Sequence, residues 1–269
     1  MVRKPAKKTS TAKSKHKTTK TVVAVRTAKR GSFSLSGNRY LANVSVSAVL
    51  AEFIGTFVLA LVVLNFSGNA LLASLVFMVL VLVLAPISGP NLNPALTVGL
   101  WAAKRLNGSR AVSYLVAQVV GAMLALVVAN AFVPDVVNPI TGQVGRGQLF
   151  TAQALPAETA KLWRATGVEA IGMFVFALGA ASAYMSRRGL MAKAFTLGGS
   201  MLFGLLLLQG SPMLNPALAL SVQALKWSLW PLTIYVVVPL VSTVLAMLLW
   251  RALQRDTVLD GERAFEREA

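Results

Sequence analysis

The sequence lacks cysteine altogether and contains one histidine and few acidic residues. Of its 269 residues, only 9 are Asp or Glu, and 13% are charged. The absence of cysteine excludes disulfides, thiolate metal sites and cysteine nucleophiles. The single histidine, His16, lies in a basic N-terminal segment, which excludes a histidine-based site in the rest of the chain. With no nucleophile–base pair, metal-ligand set or phosphate-binding loop in the sequence, we predict neither an enzyme nor a bound metal or cofactor.

Charge is also missing from long stretches of a very hydrophobic chain. Hydrophobic residues make up 56% of the sequence, and no charged residue occurs in 53–103, 111–134, 194–225 or 227–250. Soluble domains have about 25% charged residues, whereas uncharged apolar stretches of about 20 residues are typical of membrane helices. The sequence therefore predicts an all-α integral membrane protein, with the lipid bilayer as its surroundings.

Six segments are long enough to cross about 30 Å of hydrocarbon. They lie at about 43–66, 69–87, 111–133, 164–185, 190–209 and 231–251. Two further apolar stretches, 89–103 and 211–225, are too short to cross, and each begins at a turn-forming Ser, Gly and Pro cluster. Short apolar segments of this kind are typical of re-entrant structure inside a membrane protein.

Basic residues predict the orientation in the membrane. The segment 1–40 contains 12 of the 26 Lys and Arg residues and no acid, so we expect a disordered tail. The other short basic loops fall on the same side as this tail, which predicts a plasma-membrane protein with both termini in the cytoplasm. We expect the tail to contact anionic lipid rather than nucleic acid. A membrane domain then covers 41–253, and a C-terminal tail covers 254–269.

The membrane domain contains an internal repeat, at about 41–133 and 160–253. The segment 51–61 aligns with 168–178 and includes Glu52 and Glu169, and a Leu-Asn-Pro-Ala-Leu sequence occurs at both 92–96 and 214–218. Three spans per half place the second half in the membrane upside down. Inverted repeats of this kind have their site near the midplane, where the halves meet.

The Asn-Pro-Ala motifs, Asn93-Pro94-Ala95 and Asn215-Pro216-Ala217, predict the starts of two short helices. Asn is a strong N-cap and Pro fits the first helical turn. In inverted halves the two N-termini meet near the midplane, each with partial positive charge. We expect each Asn oxygen to accept the capping bond, which leaves the amide group as a neutral donor to a passing molecule.

The two membrane acids, Glu52 and Glu169, occupy equivalent repeat positions and have two interpretations. An intramembrane acid can belong to a proton relay. Alternatively, each carboxylate accepts hydrogen bonds from the backbone of its re-entrant loop, whose polar groups must be satisfied. The second interpretation is the one we favour.

Together these motifs resemble the aquaporin, or major intrinsic protein, family over about residues 45–252. The resemblance implies six helices and two half-helices around a narrow pore, one pore per subunit in a homotetramer, and passive conduction of water, glycerol or other small uncharged solutes. The matching pieces are 51–57, 88–95, 114–118, 168–169 and 215–217.

One departure from the family concerns the outer selectivity filter. The family usually has Arg after the second motif, where this chain has Leu218, and Asp next, where it has Ala219. Family spacing places the remaining filter positions at Ala73, Phe203 and Pro212. The expected filter therefore has no charge and no side-chain hydrogen-bond donor, which suggests a channel of low selectivity for small neutral solutes.

Two other classes stay open at this stage. Inverted repeats with broken helices also occur in secondary transporters, although these usually bring polar clusters to the midplane. A non-conducting membrane scaffold that keeps the family fold is the other alternative, since the filter Arg is missing.

Overall fold

The fold consists almost entirely of helices. The computed structural model describes residues 44–254 and, for 255–268, the helical backbone alone; the predicted tail at 1–40 lies outside the described residues. In chain order the helices are α1 (Val46–Asn65), α2 (Ala70–Leu84), α3 (Pro94–Ala102), α4 (Gly108–Ala131), α5 (Thr159–Met185), α6 (Leu190–Leu206), α7 (Pro216–Ser221), α8 (Leu229–Leu232) and α9 (Val238–Glu268), with a π-helical turn at Thr233–Val237 between α8 and α9.

The long helices correspond to the six predicted spans. By length and composition, four of the helical stretches among the described residues can cross a membrane: Val46–Asn65, Gly108–Ala131, Thr159–Met185 and Leu229–Gln254. The other two, α2 and α6, have 15 and 17 residues and end three residues before the predicted limits of 87 and 209. The expectation that these two are long enough by themselves was wrong, because the chain leaves each helix early to enter a re-entrant loop.

The two re-entrant segments contain the short helices α3 and α7. Each begins at the Pro of an Asn-Pro-Ala motif, with Asn93 or Asn215 as an extended N-cap residue. Two residues after each helix ends, the backbone has a positive φ, at Lys104 (56°) and Gln223 (59°), a left-handed conformation common after helix C-termini. Both repeats therefore build the same half-helix from the same local sequence.

Two small strands in the α4–α5 connection are the exception to the all-α prediction. β1 (Asp135–Val137) pairs antiparallel with β2 (Val144–Arg146), with Val136 opposite Gly145. The turn is closed by Asn138, whose side chain accepts hydrogen bonds from the backbone N–H groups of Ile140 and Thr141. Asn at this place is a common turn former.

The half-helices enter the bundle from opposite ends. At one end, which we call the hairpin end, the Ala152 N–H donates to the carbonyl of Val222, just after α7. At the other, which we call the basic end, Arg251 donates to the carbonyl of Ala103, just after α3, at 3.1 Å. Because the C-termini of α3 and α7 lie at opposite ends, their N-termini point at each other, as an inverted repeat requires.

Close helix packing depends on glycine at particular positions. A methyl group added to Gly172 of α5 would lie 2.5 Å from the carbonyl oxygen of Gly204 in α6, and the reverse substitution would clash equally. Gly121 of α4 lies as close to the backbone of Phe53 in α1. Small residues allow such close approach, and dispersion between the helices then contributes to association in the membrane.

We expect Gly172→Ala to destabilise the fold by about 1–3 kcal/mol, the typical cost of forcing extra volume into a packed interior. Gly167→Ala in the same helix is the matched control, because a methyl group there would meet nothing within 4 Å. Thermal unfolding of the purified protein in detergent, followed by tryptophan fluorescence, measures both. Equal midpoints for the two variants would contradict this account of the α5–α6 contact.

Candidate pore and its lining

The two Asn-Pro-Ala motifs meet in the interior and are tied to each other. The Asn93 side-chain amide donates to the carbonyl of Leu214 at 2.7 Å, and the Asn215 amide donates to the carbonyl of Leu92 at 2.9 Å. Each side-chain oxygen caps its own half-helix, accepting from Ala95 N–H at 2.8 Å and from Ala217 N–H at 3.0 Å. An amide group carries two N–H donors, so each Asn keeps one beyond its bond to the opposite loop.

The crosswise bonds refine the expectation from sequence. The oxygen of each Asn accepts the capping bond, as expected. The amide group was expected to be wholly free, but one of its two hydrogens holds the opposite loop in place. Asn93 and Asn215 are only 1% and 2% exposed, so these donors lie deep in the interior.

The residue before each Asn has an unusual backbone. Leu92 and Leu214 have φ of 50° and 53°, in the left-handed region that bulky residues avoid. This conformation turns each Leu carbonyl toward the opposite Asn, where it accepts the crosswise bond. The sequence gives no sign of it, because Leu is not a residue type associated with positive φ.

Glu52 holds the first re-entrant loop. Its two carboxylate oxygens accept hydrogen bonds from the backbone N–H of Asn91 at 2.9 Å and of Leu92 at 2.8 Å. The side-chain amide of Gln118 also donates to Glu52, at 2.7 Å, and to the hydroxyl of Thr97 at 2.9 Å. These bonds satisfy an irregular buried loop that has no helix or strand of its own. The sequence analysis gives no role to Thr97 or to Gln118, although Gln118 lies in the matching piece 114–118.

Glu169 holds the second loop in the equivalent way. Its oxygens accept from the backbone N–H of Met213 at 2.8 Å and of Leu214 at 2.7 Å. The geometry of both acids matches the loop-supporting interpretation. In the described chain we see no titratable partner bonded to Glu169 that would continue a proton relay.

Polar side chains at the basic end secure the approach to α3. Arg110 donates to the carbonyl of Ser88 at 2.9 Å and to the hydroxyl of Tyr114 at 2.7 Å. Tyr184, from α5 of the other repeat, donates to the carbonyl of Pro90 at 2.5 Å. The first loop is thus fixed by both halves of the molecule.

At the hairpin end, a cavity of about 230 Å³ opens above the second loop. Three of the four residues expected in the filter line it: Ala73 from α2, Pro212 from the loop and Leu218 from α7. Leu205 and Met201 of α6 also contribute to its wall, and no charged side chain is among its lining residues.

Phe203, the fourth expected residue, does not line this cavity. Its side chain is 68% exposed on the outside of the bundle. On an α-helix, residues two apart point roughly 200° away from each other, so the face that presents Met201 and Leu205 turns Phe203 away. The residue count used from sequence assumed a fixed loop length between α6 and Asn215. The spacing of Gly198, Met201 and Gly204, all buried, marks the inward face and would have indicated Leu205.

The arrangement has a definite chemistry. Neutral N–H donors of the Asn pair lie where two helix N-termini meet, each with partial positive charge. Such a point favours an uncharged oxygen or nitrogen acceptor and repels cations. The geometry therefore favours small neutral molecules over ions.

An inverted repeat of helices, with two half-helices meeting inside it, is the architecture of a class of membrane channels. A family model described as "Major intrinsic protein" matches residues 44–250. The chain belongs to this family, and its fold is the aquaporin fold of six membrane helices and two re-entrant half-helices.

Individual relatives are more distant. The chain is 33% identical over 121 residues to "Glycerol uptake facilitator protein-like 6" of Lactiplantibacillus plantarum, covering 39% of this chain and 56% of the relative. It is 29% identical over 184 residues to "Aquaporin AqpM" of Methanothermobacter thermautotrophicus, covering 64% and 71%. The matches to the first three curated relatives span about half the length of each of them.

A solved structure shares the fold. The aquaglyceroporin from Plasmodium falciparum superposes with a TM-score of 0.57 at 19% sequence identity, covering 76% of this chain and 95% of that one. At this identity the likeness shows the fold alone.

We expect Glu169→Gln to destabilise the protein by about 1–3 kcal/mol, the usual cost of leaving a buried donor unpaired. The Gln side chain has one acceptor oxygen for the two backbone N–H groups of Met213 and Leu214. Its NH₂ group then faces the second of these N–H groups, which loses its acceptor. Glu158→Gln is the matched control, since that carboxylate is 67% exposed and pairs with Lys161 on the surface. Thermal midpoints in detergent measure the difference; a control as destabilised as Glu169→Gln would argue against loop support.

Proposed function

We propose that this protein is a passive channel for water and other small uncharged solutes, with one pore through each subunit. The observation that carries the proposal is the pair of crosswise hydrogen bonds between Asn93, Asn215 and the opposite loops. These bonds fix two neutral donors at the meeting point of the half-helices, in a membrane-spanning bundle. Family membership over residues 44–250 supports the same class.

The substrate class follows from the wall of the hairpin-end cavity. Ala73, Leu205, Pro212 and Leu218 bring no charge and no side-chain donor to it. A polar solute entering there exchanges its water hydrogen bonds for those of backbone carbonyls and of the Ser67 and Ser211 hydroxyls, the polar side chains of a mostly apolar wall. Such a wall favours ammonia and solutes with apolar edges, such as glycerol-like polyols and urea. A glycerol facilitator and aquaporins are both among the similar proteins, which agrees with a broad substrate range.

The same wall lacks the electrostatic barrier that Arg would give at position 218. Cation exclusion then depends on the positive ends of α3 and α7 and on the low dielectric of the pore. A secondary transporter is not favoured, because the acids Glu52 and Glu169 are both engaged by backbone N–H groups rather than open to an ion.

Reconstitution tests the filter. In proteoliposomes we expect water, glycerol and urea fluxes above those of empty liposomes. Leu218→Arg should lower glycerol and urea flux more than water flux, because the guanidinium narrows the cavity while supplying hydrogen bonds that water can use. Ile140→Arg, in the exposed hairpin turn and outside the cavity lining, is the matched control and should leave the ratio of fluxes unchanged. Equal reductions for all three solutes in Leu218→Arg would place Leu218 outside the filter.

We also propose a plasma-membrane location, with the basic end in the cytoplasm. Arg110 and Arg251 lie at that end with the α3 C-terminus, and basic residues collect on the cytoplasmic side of membrane proteins. As in the family, we expect homotetramers. Contact of the 1–40 tail with anionic lipid remains part of this proposal and concerns residues outside the described part of the chain.

The absence of cysteine makes the orientation easy to test. Ile140 is an exposed residue of the hairpin end, and Gly189 is an exposed residue between α5 and α6 on the opposite side. A membrane-impermeant maleimide applied to intact cells should label Ile140→Cys, and should label Gly189→Cys only after the cells are opened. The reverse pattern would invert the proposed topology.

A further inference from the structure

Two phenylalanines lie beneath the hairpin-end cavity. Phe77 of α2 and Phe176 of α5 pack edge to face, with ring centroids 5.8 Å apart and an interplanar angle of 82°. Each is 1% exposed, so a water-sized molecule barely touches either ring. Edge-to-face aromatic pairs contribute interaction free energy in addition to that of the apolar area they bury. This contact therefore stabilises the position of both rings.

Helix geometry places both rings at depths between the cavity wall and the Asn pair. Ala73 lines the cavity, and Phe77 is one turn further along the same face of α2. α2 runs from the hairpin end toward the basic end, since its N-terminus follows the α1–α2 turn that also lines the cavity. Phe77 is therefore deeper in the bundle than the cavity wall.

The level of Phe176 follows from its own repeat. Glu169 bonds the backbone of Leu214, and a methyl group added to Gly172, one turn on, would lie 3.1 Å from the Leu214 side chain. α5 and the second re-entrant loop both run inward from the hairpin end. Phe176 is one helical turn deeper than Gly172, and Asn215 is one residue deeper than Leu214. The ring thus lies at the depth of the Asn pair.

The inverted repeat supplies a comparison for this position. Leu59 follows Glu52 by the same seven residues as Phe176 follows Glu169, and it is also buried. Met201 of α6, one turn before Leu205, adds a further apolar side chain to the cavity wall. The first repeat thus has an aliphatic side chain where the second has a large ring.

We infer that Phe77 and Phe176 form a closed aromatic constriction at the level of the Asn pair, and that these two rings limit the rate at which solutes pass. The inference rests on the proposed function. Asn93 and Asn215 are as buried as the rings, which agrees with a path that is shut at this depth. Apolar constrictions hold back water by dewetting, so passage requires the rings to move apart.

Smaller side chains at these positions test the constriction. We expect Phe176→Leu, which gives α5 the residue that α1 has as Leu59, to raise water and glycerol permeability of proteoliposomes several-fold. Phe77→Leu should act in the same direction, and the double variant should exceed both. The temperature dependence of water flux should weaken in all three, because ring displacement no longer precedes passage.

Phe203→Leu is the matched control. It makes the same chemical change on the exposed face of α6, so we expect wild-type permeability and temperature dependence. Phe77→Met and Phe176→Met keep most of the side-chain volume in a flexible form, and serve as the test if a Leu variant is not monodisperse in detergent. They should also raise the flux.

The outcomes separate this inference from the proposed function. If wild-type protein conducts above empty liposomes and the Phe77 and Phe176 variants match it, the constriction is refuted while the channel stands. If wild-type protein and every folded variant, including the double, conduct no more than empty liposomes, the proposed function fails and the constriction with it.

Discussion

The fold depends on satisfying the backbone of two helices that stop inside the membrane. Each break exposes N–H and carbonyl groups where no water is available, and an unpaired group there costs several kcal/mol. Glu52 and Glu169 accept hydrogen bonds from the backbone N–H groups just before each half-helix. The Asn side chains cap the half-helices and donate to the opposite loops. The polar backbone groups at the N-termini of the half-helices are therefore hydrogen-bonded inside the protein and are not exposed to lipid.

Both halves of the repeat use a Glu carboxylate and an Asn cap in this way, but the halves are not identical. Glu52 also accepts a hydrogen bond from Gln118, while Glu169 accepts bonds from backbone N–H groups alone among residues 44–254. At the next level the first half has Leu59 and the second has Phe176. The acids and the Asn caps are common to both halves. Gln118 adds to the loop support of the first half alone, and the difference between Leu59 and Phe176 falls where we infer the constriction.

Much of the scaffold could be predicted from sequence, because it follows from strong local rules. Asn-Pro predicted a helix start, and paired intramembrane acids predicted support for irregular backbone; both are found at the expected residues. The positive φ of Leu92 and Leu214 could not be predicted, since it is imposed by the crosswise bonds between halves distant in sequence. Phe203 was misplaced for a related reason: a residue count does not contain the rotation of α6 about its axis, which packs Gly204 on Gly172 and turns Phe203 outward.

The uncharged filter and the aromatic constriction have a common consequence for selectivity. An ion that passes between two buried rings must lose most of its hydration shell. The free-energy cost of an isolated charge in an apolar medium is far larger than the free energy that hydrogen bonds from the neutral N–H donors of Asn93 and Asn215 supply. A neutral solute gives up only a few hydrogen bonds and regains some from those donors. A tight apolar passage can thus exclude ions without a fixed cation at position 218. By this argument the two rings add a desolvation barrier to the electrostatic barrier at the positive ends of α3 and α7, and the net charge of +17 has no part in either.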